Sequence, residues 1–262
     1  MTTITEQRKR NPRPGGAPVL HYAVQSGVLT ARNVTFVIFT VIMPVTLYLV
    51  FTAIYAGENE SRLASTMIMV SMAAYGSLGA AMSGGAQLAL ERRSGWFRQL
   101  MITSVPPQLF LWARATVSMV LVLPALLLVF VAGALLGGVT APAAHWLASL
   151  GLLWIGLLPM VVLGMVVGVW VKAEAVQGVT TLLLLALSLL GGLWFPVEAM
   201  PPVMAALAPA LPTYWLGELG RFPFLSSVSF PWSGTLVLAA WSLLLTVLGA
   251  LGYRRAAASS RR

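Results

Sequence analysis

Six long apolar runs dominate this chain, and each has the length of a membrane crossing. A helix rises about 1.5 Å per residue, so about 20 apolar residues span the ~30 Å hydrocarbon core of a bilayer. The runs are Val34–Ala56, Leu63–Leu90, Ala115–Val139, Trp146–Val171, Val176–Phe195 and Trp232–Gly252. Asp, Glu, Lys and Arg enter them only at the margins. With no water in the hydrocarbon core, backbone polar groups must pair within the segment, so such runs fold as helices. The expectation is an all-α polytopic membrane protein with six transmembrane helices. The second and fourth runs are long enough to tilt. The first run starts too late and is too long for a cleaved signal peptide. Composition agrees, because charged residues make up only 9% of the chain, against about a quarter in soluble domains.

The basic residues orient these helices. Arg8, Lys9, Arg10, Arg13 and Arg32 precede the first run, and Arg92, Arg93, Arg98 and Arg114 lie between the second and third. Lys172 follows the fourth, and Arg254, Arg255, Arg261 and Arg262 follow the sixth. Only Arg62 and Arg221, of 16 Lys and Arg, fall on the opposite side, together with Glu58, Glu60, Glu198 and Glu218. The excess of positive charge marks the cytoplasmic side and places both termini there. The net charge of +9 is thus a topology signal, and no nucleic-acid partner is expected.

The connections carry the remaining signals. Residues 1–18 are polar, basic and rich in Pro and Gly, a composition expected to stay disordered. Residues 19–255 read as a single six-span transmembrane domain, and 256–262 as a cytoplasmic tail. Leu20, Val24 and Val28 recur at helical spacing, so His21–Arg32 reads as an interfacial amphipathic helix, or as a plain extension of the first span. Glu91–Pro107 carries Trp96, Phe97, Leu100 and Met101 beside Arg92, Arg93 and Arg98, and ends at Pro106–Pro107. Two readings fit it: a loop resting on lipid headgroups, or a short helix offered to a cytoplasmic partner. Phe195–Phe230 holds an apolar stretch, Val203–Leu211, too short to cross. Pro196, Pro201, Pro202, Pro209 and Pro212 break it. It reads as a re-entrant outer hairpin forming a gate, or as an external loop with surface helices.

Inside the runs, Gly76, Ala80 and Gly84 stand four apart, as do Gly164 and Gly168. Such spacing lets helices approach closely, and packing within the chain is the expected use. The polar groups within runs are few, with Ser71, Gln87, Gln177, Thr180 and Thr181 the best candidates. The chain has no Cys, and its two histidines, His21 and His145, lie outside the runs. No metal set and no nucleophile–base pair is expected. No phosphate-binding loop surrounds either lysine, Lys9 or Lys172. Such a chain can shape a pathway, and an energy source, if there is one, is another polypeptide.

Three features together resemble the ABC-2 type permeases, the membrane subunits of ATP-binding-cassette exporters. They are the six-span layout with cytoplasmic termini; E-R-R-S-G-W-F-R-Q-L-M-I-T-S-V-P-P after the second span; and G-G-L-W-F-P-V-E-A-M-P-P followed by L-P-T-Y-W-L-G-E-L-G-R. The resemblance runs from Leu20 to Arg255. It implies a pair of permeases, homodimeric or with a sister chain, over cytosolic ATP-binding-cassette ATPase subunits that use ATP and Mg. This chain itself would bind no cofactor and would contact membrane lipids. Gly95–Thr103 would be the cytoplasmic coupling helix, with Glu91, Gly95, Trp96, Phe97, Leu100 and Thr103 as ATPase-coupling residues. His21–Arg32 would be the family's interfacial helix. Phe195, Pro196, Met200, Pro201 and Tyr214 would form the outer gate. The resemblance suggests a drug or antibiotic exporter, or a lipid exporter, in a bacterial cell membrane. The competing expectations are a membrane scaffold or assembly factor that transports nothing, and a passive channel.

Overall fold

The computed structural model describes residues 24–25, 27–30, 32–55, 61–94, 107–225 and 229–259. The tail expected at 1–18 and the coupling helix expected at Gly95–Thr103 lie outside the described residues, as do Leu20 and His21. Among the described residues every regular element is helical. We number them α1 (Val34–Tyr55), α2 (Ser61–Arg93), α3 (Pro107–Leu135), α4 (Ala143–Gly156), α5 (Leu158–Trp170), α6 (Val176–Leu190), α7 (Pro202–Leu207), α8 (Pro212–Arg221) and α9 (Trp232–Ser259).

Among the described residues, five stretches are long and apolar enough to cross a membrane: α1, α2, α3, α9, and α4 with α5 as one span, Ala143–Trp170. The expected run Val176–Phe195 departs from this. Its helix, α6, has 15 residues and stops at Leu190, about 22 Å of rise. Gly191 caps it and Gly192 takes a φ of +74°, a left-handed conformation that glycine adopts without penalty. The Gly192 N–H bonds the Leu189 carbonyl, and the Leu193 N–H bonds that of Ser188. This double bond is a Schellman stop, and it turns the chain into the hairpin earlier than hydropathy implies.

Two other spans bend for identifiable reasons. Pro44 has no N–H to donate, and the turn before it, Ile38–Ile42, widens into a π-helix. Pro159 likewise follows the break at Leu157 between α4 and α5. That break leaves Gly156 against Leu216 of α8, where an added Cβ would lie 2.9 Å from the leucine methyl.

The core forms around α2. The most apolar part of α2 is 72% buried, against 17% for α1 and for α9. Yet α2 is the least hydropathic of the five spans. A helix surrounded by protein needs small residues more than lipid-soluble ones, and Ala73, Ala74, Ser77, Ala80 and Ala81 are buried along it. Large side chains from its neighbours, including Tyr48, Leu126, Leu157, Met160 and Leu216, complete the core. Outward-facing Trp112, Leu127, Leu135, Leu236 and Leu243 are exposed, as lipid-facing positions should be.

The expected glycine stripes do pack within the chain, on several partners. Gly76 faces Pro44 of α1, and Gly84 faces Ser118 and Arg114 of α3. Gly164 lies against the backbone of α2, where an added Cβ would fall 2.7 Å from the Met82 Cα. Gly85, outside the expected stripe, is the residue of α2 whose Cβ would overlap the Gly164 carbonyl. Here α2 and α5 touch backbone to backbone.

Contacts sort the bundle into two ends. Tyr48, Ser65 and the Gly137 carbonyl join the finish of α1, the start of α2 and the segment after α3. This is the hairpin end. Arg92, Arg114 and Glu174 gather where α2 and α5 finish and α3 begins. This is the basic end.

Candidate functional site

At the hairpin end the re-entrant segment has two unlike arms. The outgoing arm is peripheral: Phe195 is 41% exposed and Val203 of α7 is 73% exposed. The returning arm, α8, is wedged into the bundle, with Pro212, Thr213, Leu216, Gly217, Leu219 and Gly220 buried. Hydrogen bonds hold the hairpin from several sides. Thr213 Oγ1 donates to the Leu187 carbonyl of α6 at 2.6 Å, and Ser149 Oγ of α4 to the Gly220 carbonyl at 2.6 Å. Trp241 Nε1 of α9 donates to the Ala210 carbonyl at 2.9 Å. Arg221, at the finish of α8, pairs with Glu218 at 2.9 Å and donates to Ser71 Oγ in mid-α2 at 2.6 Å. It also reaches the Gly192 carbonyl at 3.3 Å.

Between the outgoing arm, α1 and α2 lies a cavity of about 1110 Å³. Phe51, Met67, Ile68, Leu193, Trp194 and Phe195 give it apolar and aromatic walls. Arg62, Glu198, Glu218 and Arg221 give it two charges of each sign. The Phe195 and Phe51 rings lie 6.4 Å apart, centroid to centroid. Burial pushes the Tyr214 phenol above the usual tyrosine range; Glu218 and then Glu198 add to this, and Arg221 partly offsets it. A space of this size and lining suits an amphiphile rather than an ion.

Of the residues expected to form an outer gate, Phe195, Pro196 and Tyr214 line this cavity together, and Met200 and Pro201 do not. Sequence reading named Ser71 among the few polar groups of the runs without assigning it to the gate, and missed Trp194 and the four charges as site residues. The charges did carry a signal: Arg62, Arg221, Glu198 and Glu218 are most of the few ions on that side of the chain, and all four line this cavity.

At the basic end a second polar cluster forms. Arg114, the N-terminal margin residue of α3's apolar run, is only 2% exposed. It pairs with Glu91 and donates to Gln87 Oε1 at 2.9 Å. Gln87 Nε2 in turn donates to Thr30 Oγ1. Thr30 belongs to the helical turn 27–30 within the expected interfacial helix. Val24 and Val28 of that segment are exposed, which suits a face laid on lipid. Arg92 Nη1 donates to the Gly168 carbonyl at 2.8 Å and to that of Val169. Arg93 meets Glu174 at 3.1 Å, both largely exposed.

Glu91 is thus an anchor for α3. Arg92 and Arg93, expected on the basic face of the coupling helix, are engaged inside the chain. Gly95, Trp96, Phe97, Leu100 and Thr103 lie outside the described residues.

Comparison with known proteins fits this arrangement. The family model described as "ABC-2 type transporter" matches residues 23–225. The chain is also 28% identical over 221 residues to a Bacillus subtilis (strain 168) protein named "Putative transport permease YvfS", covering 83% of this chain and 89% of that one. The matched residues take in the interfacial turn, both polar clusters and the hairpin helices α7 and α8. The chain belongs to the ABC-2 type transporter family, as a transporter membrane subunit.

Proposed function

We propose that this chain is the permease of an exporter, paired with a second permease and driven by cytosolic ATP-binding-cassette ATPase subunits. The basic end faces the cytoplasm of a bacterium and the hairpin end faces outward, as the positive-inside rule requires. ATP and Mg act on the partner. The substrate is an amphiphile of drug, antibiotic or lipid type. The carrying observation is the cavity of about 1110 Å³ at the hairpin end, with aromatic walls and charges of both signs. It lies where cargo would leave, under the arm that holds Phe195.

Energy enters through the segment after Ser94. Trp96 and Leu100 stand four apart and fill one hydrophobic slot on the ATPase. Truncating an aromatic anchor at an interface centre costs about 2 kcal/mol or more, roughly thirtyfold in affinity. A tagged Trp96→Ala, Leu100→Ala chain should therefore stay in the membrane, retain about thirtyfold less ATPase on purification, and lose transport. Full ATPase recovery with normal transport would remove the docking assignment.

A further inference from the structure

We infer that Arg92 is a positioning residue that carries movement of the end of α2 into α5 and onward to the hairpin. This rests on the reading that the residues after Ser94 meet an ATPase. Three consecutive residues in the last turn of α2 each grip a different neighbour. Glu91 holds Arg114 of α3, Arg92 holds the finish of α5, and Arg93 holds Glu174 in the turn before α6.

Arg92 has the strongest geometry for transmission. The carbonyls of Gly168 and Val169 lie in the last turn of α5, where helix carbonyls lack intrahelical partners and carry partial negative charge. One guanidinium nitrogen serves both. Just above, Gly85 meets Gly164 and Gly168 without an intervening side chain. No compressible layer separates the helices there, so a push on α2 moves α5 instead of being absorbed. From α5 the turn is tight, because the N–H groups of Ala175 and Val176 both bond the Lys172 carbonyl. Helix α6 then reaches the hairpin through Leu187, whose carbonyl holds Thr213. Arg93 and Glu174 are mostly exposed and screened by solvent, so their tie is secondary.

The chain has no cysteine, so paired labels go in without a background. Leu147 on α4 and Val203 on α7 are both exposed. Spin labels at these two sites report hairpin position in the lipid-embedded complex with its ATPase, nucleotide-free or trapped with ATP and vanadate. In the otherwise unaltered chain the distance changes with nucleotide. Arg92→Gln should keep ATPase recovery and hydrolysis but lower the coupling of hairpin position to nucleotide roughly tenfold. Arg92→Lys, which restores the cation, should regain part of it. If Arg92→Gln does not fold, Arg92→Lys against the parent carries the test. A nucleotide response in these variants equal to the parent's would overturn the inference. So would loss of ATPase from Arg92→Gln, since Arg92 would then act in docking. A parent chain that retains no ATPase refutes the docking on which the inference rests, and is distinguishable because it fails before any variant is compared.

Discussion

Replacing Gly85 by Ala tests the crossing on which both ends of the bundle depend. The new Cβ would overlap the Gly164 carbonyl, and its nearest neighbours are all backbone atoms of α5. No side chain can rotate away, so α2 and α5 must separate. Facing positions are equally tight: an added Cβ on Gly168 would lie 2.9 Å from the Gly85 Cα. Separation would also open gaps beside Met82, Leu88 and Met160, which are fully buried. Overpacking typically costs about 1–3 kcal/mol. Backbone against backbone belongs at the upper end, about 3 kcal/mol. Ala recovers up to about 1 kcal/mol as a better helix former than Gly, leaving a net loss of about 2 kcal/mol. The control is Gly151→Ala in α4, where nothing lies within 4 Å of the new methyl. It should be neutral or gain up to about 1 kcal/mol. At about 2–4 °C per kcal/mol for a chain of this size, Gly85→Ala should melt roughly 4–8 °C below the parent in detergent, and Gly151→Ala at or above it. Thermal melting followed by gel filtration measures both. Indistinguishable melting of the two variants would refute the close-crossing argument.

Three further outcomes follow from the same contacts. Arg114→Leu removes the buried guanidinium that pairs with Glu91 and should cost about 3 kcal/mol; adding Glu91→Leu should recover part of that loss in a double-mutant melting cycle. Phe195→Ala opens the aromatic wall shared with Phe51 and should change transport of amphiphilic dyes while leaving ATPase recovery intact; an unchanged dye profile would argue for a mere surface arm. Tags at Met1 and Arg262 should be protected from external protease, and labels at Asn59 and Ser226 accessible from outside, with an external C-terminus breaking the proposed orientation.

Some of this protein was legible in its residues alone. Long uncharged runs leave a chain in lipid no choice but helix, so the all-α, multi-span architecture followed from hydropathy. Within the proline-broken Phe195–Phe230 segment, the apolar stretch Val203–Leu211 is too short to cross, which left a re-entrant hairpin and an external loop with surface helices both open; only the fold shows α8 buried in the bundle. The glycine spacing announced close packing within the chain, though not which helices would meet: Gly85 became the central contact only because α5 crosses there. Tertiary structure decided what depends on distance between remote residues. Hydropathy does not register that Gly191–Gly192 stop α6 at Leu190, because a backbone conformation, and no loss of apolarity, ends that helix. It does not register that Arg221 reaches Ser71, 150 positions away, or that four scattered ions line one cavity. It left Arg92 open to lipid headgroups or to a partner, and the fold turned it inward onto the finish of α5. A charge at the margin of a span reads alike whether it meets water, a lipid phosphate or an unpaired carbonyl, and only the neighbouring helix decides between them.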